Sequence, residues 1–187
     1  MKRPLRTTMG AITLLGMAIG LLALPAAAAA RPFCGLHWGS LPKQIGRGPG
    51  FPPSPLTGVR AGRHACFDRL VFDLDGAPAG GAARYVSQVT RVAVDEPVPL
   101  RGGAFLEIAL FAPSYDLDGR ATFSPRDPAT IVAVGGFRTF RQVAAGGSFE
   151  GYTTVGLGVR ARLPFRVFVL TGPGSHSRLV VDVAHRW

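Results

Sequence analysis

Glycine and proline interrupt this chain too often for a long helix to form. Its 187 residues include 25 glycines and 16 prolines; each proline removes a backbone donor, and each glycine raises the entropy cost of ordering its segment. Between these breaks lie short runs rich in β-branched and aromatic residues, the composition of strands. Residues 66–74 (CFDRLVFDL), 84–90 (RYVSQVT) and 104–111 (AFLEIALF) are of this kind, and Leu106, Ile108 and Leu110 share one face of the third. Residues 131–134 form a shorter candidate.

The clearest two-residue period spans 155–163, where Val155, Leu157, Val159, Ala161 and Leu163 alternate with Gly156, Gly158, Arg160 and Arg162. That alternation predicts a strand with one core face and one basic face. Pro164 interrupts it, and residues 165–170 (FRVFVL) resume as a strand apolar on both faces, with Phe168 and Leu170 as candidate docking residues. Residues 178–184 (RLVVDVA) close the series. Over 136–145 the spacing of Phe137, Phe140, Arg141 and Ala144 predicts a helix, with a strand as the alternative. The expected class is all-β, a sandwich or barrel in a single domain.

The first 30 residues read as an export address. Lys2, Arg3 and Arg6 precede an almost purely apolar run from Met9 to Leu24, and Pro25 then opens five alanines offering several cleavage registers. This run of 16 residues falls short of the roughly 20 that a membrane-crossing helix needs, so residues 1–30 are expected to be a removed signal peptide. A lipid anchor on Cys34 is not expected behind Arg31, Pro32 and Phe33. Residues 31–55, with six prolines and five glycines, should form an extended arm.

Cys34 and Cys66 are the two cysteines, and in an oxidising compartment they are expected to pair. Such a bond would tie the arm to the first strong strand and stabilise the fold by roughly 3–4 kcal/mol on chain-entropy grounds. His37 and His64 lie near the cysteines, but the spacings match no zinc pattern, and no metal or cofactor is expected.

The formal net charge is +10, and removing Lys2, Arg3 and Arg6 lowers it by three to +7. Beyond the leader Lys43 is the only lysine, so arginine carries the charge. GC-rich coding and a guanidinium surface suited to carboxylate or phosphate polymers both fit that bias. Arg160, Arg162 and Arg166 are the candidate ligand-binding residues, with Arg138, Arg141 and Arg178 as further members; alternation would place Arg160 and Arg162 on one face. Arg69, flanked by Asp68 and Asp73, is expected in a structural ion pair. No nucleic-acid recognition motif accompanies the charge.

Catalytic signatures do not emerge. No G-x-S-x-G elbow occurs, and Gly174-Ser175-His176-Ser177 reads as a hairpin loop because neighbouring residues on an extended chain point apart. Asp-Leu-Asp-Gly occurs at 73–76 and 116–119, but each copy lacks the further oxygens of a calcium loop and reads as a β-turn. No catalytic residue is predicted.

The run CFDRLVFDL and the closing RLVVDVAHRW, together with the exported single-domain layout, resemble the AMIN-like domain proteins of actinobacteria over roughly residues 56–186. These are similar to the AMIN domains of cell-wall amidases and secretin subunits. The resemblance implies a small antiparallel β-sandwich over 56–187 that binds and does not catalyse, with peptidoglycan as the usual ligand. An amidase would add a catalytic domain with zinc ligands, which is not expected here, and no binding residue carries over. The expected protein is a secreted or envelope-associated module that holds peptidoglycan or a teichoic-acid-like polymer; the alternative is a module that binds another exported protein, and contact with the membrane is expected only through the signal peptide.

Overall fold

The computed structural model describes residues 32–187. The expected signal peptide lies outside the described residues. Nine strands occur among them: β1 (Lys43–Ile45), β2 (Leu56–Arg63), β3 (Phe67–Leu74), β4 (Gly81–Val86), β5 (Ala104–Leu110), β6 (Phe140–Phe149), β7 (Tyr152–Val159), β8 (Phe165–Thr171) and β9 (Ser177–Ala184). They form two antiparallel sheets, one ordered β1-β4-β5-β7-β6 and the other β2-β3-β9-β8.

One hydrophobic core joins the sheets. Alternation in β3 turns Leu70, Phe72 and Leu74 inward, where they meet Leu106 and Ile108 of β5 and Leu179 and Val181 of β9, all essentially inaccessible to water. Truncating any one of these large side chains to alanine would cost about 2–5 kcal/mol. The expected all-β sandwich is therefore present.

The arm is less irregular than its composition suggests. Cys34 and Cys66 form the expected disulfide, and Gly39 accepts a hydrogen bond from the Phe165 N–H of β8 at 2.9 Å. Three residues then pair as β1 with β4. The arm thus runs from the edge of one sheet to the edge of the other, which supplies partners for exposed edge groups.

Four expectations of secondary structure fail. Residues 136–145 are not a helix: the alternative, a strand, is present as β6 from Phe140, and residues 137–139 lie outside regular structure. Its pairing with β7 shifts register between Phe140 and Gln142 and again between Ala145 and Gly147. Such bulges break the period of two and imitate helical spacing. Residues 131–134 form no strand, although the Ile131 N–H donates to Val143 of β6 and the Ala145 N–H to Pro128, so this segment closes the β6 edge.

The third failure concerns 155–163. Strand β7 stops at Val159 because both its partners run out there: Val159 faces Ala104 at the start of β5 and Phe140 at the start of β6. Its second face is buried rather than basic. Leu100 lies over Gly156 and the Arg101 carbonyl over Gly158, where an added Cβ would fall only 2.8 Å and 2.0 Å from those atoms. The loop joining β4 to β5 therefore lies flat on this sheet, held by a small cluster of Val89, Val98 and Ala144. Strand β4 likewise ends at Val86 instead of reaching Thr90.

Candidate binding surfaces

The three arginines singled out by sequence come together near the end of β9, but not as a shared strand face. Arg160 and Arg162 lie beyond β7, in the connection that crosses to β8. The Arg160 guanidinium donates to the His185 carbonyl. Arg162 donates to the Ser40 hydroxyl and carbonyl at 3.2 and 3.1 Å, lies 5.1 Å from the Tyr85 ring, and accepts the Trp187 indole N–H through its own carbonyl at 3.0 Å. Each guanidinium thus ties segments of the chain together.

Arg166 belongs to an ion-pair row across three strands. Register sets Arg166 of β8, Asp182 of β9 and Arg69 of β3 side by side on the outer face of the four-stranded sheet. Arg69 holds both Asp182 oxygens, at 2.7 and 2.9 Å, and Arg166 holds Oδ2 at 2.8 Å. The aspartate is fully buried although its face points outward, because arginine stems and rings cover it. Arg166 lies 4.5 Å from the Trp38 ring centroid and 4.7 Å from that of Phe168, and Arg69 lies 5.2 Å from that of Phe67. Hydrogen bonding to Asp182 raises the Arg69 pKa above its ordinary value. The ion pair expected for Arg69 exists, but its partner is distant in sequence. Phe168, expected as an open docking residue, is half-buried beneath the two guanidiniums.

A groove runs along β6. It consists of a cavity of about 430 Å³ beside Phe140–Gln142 and one of about 410 Å³ beside Gln142–Ala145, and Arg101, Thr130 and Gln142 line both. One wall is the loop lying on the sheet, and the other is the segment that closes the β6 edge. Gln142 holds them together: its carbonyl oxygen accepts the Arg101 N–H at 2.8 Å and its amide donates to the Ala129 carbonyl at 2.7 Å. Arg141 lines the first cavity and Arg91 the second. Neither cavity is lined by an acidic side chain among the described residues. Arg141 donates to the Phe137, Phe140 and Arg138 carbonyls, and Arg91 lies 3.8 Å from Glu96. The Arg101 guanidinium has no hydrogen-bond or ion-pair partner among the described residues.

Sequence singles out Arg141 only as a secondary member and does not single out Arg91, Arg101 or Gln142. No local period relates positions so far apart. Arg138 lies just before β6 and is exposed, and Arg178 reaches the Thr171 carbonyl at 3.3 Å.

The remaining polar motifs serve the fold. Asp68 points inward and is fully buried; its Oδ2 accepts the Thr139 and Phe140 N–H groups at 2.6 and 3.2 Å, and its Oδ1 lies 3.1 Å from His185 Nε2. The pair fixes the start of β6 against the end of β9, and with His185 only 4% exposed it is closed to substrate. Residues 172–176 form the expected loop of the β8–β9 hairpin. Asp116 organises a turn, accepting N–H bonds from Asp118, Gly119 and Arg120. Asp73 remains in β3 and holds Arg60 at 2.6 and 2.7 Å.

The family model of the AMIN-like domain matches residues 54–185, which covers every strand from β2 to β9. No curated protein and no solved structure matches the chain.

Proposed function

The chain belongs to the AMIN-like domain family, and on that premise we propose that it is an exported, non-catalytic module that associates with the cell envelope through peptidoglycan or another anionic wall polymer. The family match over most of the chain carries this reading. Three further features support it. The first 30 residues have the pattern of an export address, the disulfide suits an oxidising compartment, and arginine charge exceeds acidic charge on the surface. Among the described residues no helix is long and apolar enough to cross a membrane.

In this proposal Arg160, Arg162 and Arg166 contribute a positive field near the end of β9 rather than free guanidinium forks, because each already holds an intramolecular partner. Sedimentation of the purified protein with isolated cell wall tests the proposal. Retention at low ionic strength that weakens as salt is added is expected, since screening shortens the reach of surface charges. A protein that stays in the supernatant at low ionic strength overturns the wall-binding reading.

A further inference from the structure

We propose that the groove along β6 binds an extended, carboxylate-bearing peptide, with Arg101 as its central anchor. This deepens the envelope reading and rests on it for the source of such a peptide in the wall.

The argument begins with charge. Arg141, Arg101 and Arg91 follow one another along a groove that no acidic side chain lines among the described residues. A guanidinium presents a planar fork that matches a carboxylate with two hydrogen bonds. Arg69 and Arg60 already use theirs in that way on Asp182 and Asp73. Arg101 does not, and its position is set by its backbone: the N–H is held by Gln142 and the carbonyl lies against Gly158. The side chain is therefore anchored at its root with its head free.

Length and polarity then select the ligand. The stretch of β6 from Phe140 to Ala145 spans about 17 Å at strand rise, the reach of about five extended residues. Between the guanidiniums the walls are apolar, contributed by Val98, Leu100, Pro128, Val134 and Phe137. A polyol phosphate, polar along its whole length, leaves such walls unused, whereas a peptide alternating acidic and small apolar residues meets both surfaces. The β6 edge is already hydrogen-bonded at Val143 and Ala145, so recognition proceeds through side chains rather than by addition of a strand.

The test measures fluorescence anisotropy of a labelled Glu-Ala-Glu-Ala-Glu-Ala peptide, and of polyphosphate of similar length, on the purified protein and on Arg101→Glu, Arg101→Lys and Arg47→Glu. Salt-sensitive binding of the peptide is expected, with roughly a tenfold or greater loss in Arg101→Glu, the scale of one charge-assisted hydrogen-bond pair. Arg101→Lys should lose less, and Arg47→Glu, an equal change of charge at an exposed position of the arm that lines neither cavity, should bind nearly as the parent. Unchanged affinity in Arg101→Glu overturns the groove, as does an equal or larger loss in Arg47→Glu. Binding of polyphosphate without the peptide overturns the ligand class. A protein retained on cell wall that binds neither probe overturns this inference and leaves the envelope function standing, whereas absence from the wall with intact peptide binding separates the two in the other direction.

Discussion

The Tyr85 hydroxyl closes both backbone groups of Leu163: it donates to the Leu163 carbonyl at 2.9 Å and accepts the Leu163 N–H at 2.9 Å. Tyr85 belongs to β4 of the five-stranded sheet, and Leu163 lies in the connection that crosses to the other sheet. One phenol therefore clasps the crossover, with its ring edge-on to Phe165 at 5.6 Å.

Replacement of Tyr85 by Phe keeps the ring and removes the clasp. Leu163 is only 3% exposed, so its N–H and carbonyl lose their partner with little access to water. A loss of about 1–3 kcal/mol is expected, read as a lower urea midpoint at unchanged m-value. An unchanged midpoint would mean that water replaces the hydroxyl.

The same residue gives the fold an alkaline limit. Burial raises the Tyr85 pKa above its ordinary 10.0, so the folded state holds the phenol proton more tightly than the unfolded chain does. The contribution is complete below about pH 10 and is lost as pH rises through the folded pKa. Thermal melts of the parent should fall across that range, and Tyr85→Phe should show a smaller fall. Parallel pH profiles in the two proteins would refute this.

Asp182→Ala removes the shared acceptor of Arg69 and Arg166. Breaking a buried ion pair from one side costs about 3–5 kcal/mol when the orphaned charge stays buried. Here Arg166 is 40% exposed and can turn to water, so about 2–3 kcal/mol is expected. Chemical denaturation measures the loss, and near-ultraviolet circular dichroism should also change as the rings of Trp38 and Phe67 lose their guanidinium cover.

Gly158→Ala probes the loop that forms one wall of the groove. The added methyl would fall 2.0 Å from the Arg101 carbonyl oxygen, and the loop must lift. Overpacking of this kind costs about 1–3 kcal/mol. Hydrogen exchange at the Arg101 amide should accelerate because its bond to Gln142 is strained or lost. Parent-like protection there would show that the wall shifts without leaving the sheet.

The strands legible in sequence are those carried by an unbroken apolar run or alternation. β3, β5 and β9 show as runs of β-formers, β7 through its period of two, and β8 as a run apolar on both faces. β2 (LTGVRAGR) escapes because glycines and arginines interrupt its apolar row, and β6 is legible only as the alternative to a helix because its two bulges reset the period. The arginine reading shows the same division. Sequence locates a basic stretch at 160–166 but says nothing of Asp182, which occupies Arg166, or of His185, whose carbonyl occupies Arg160.

The sequence by itself determines an all-β chain, a disulfide-tethered arm and a hairpin at 172–176, because strand alternation, turn chemistry and cysteine pairing follow from near neighbours and from a single available partner. Only the tertiary structure decides which guanidiniums are occupied and which are free. Arg69 meets Asp182 across 113 residues, and Arg101 meets Gln142 across 41. Such pairings depend on strand register and on which loop lies over which glycine, and those are set by packing of the whole core rather than by any local run of residues.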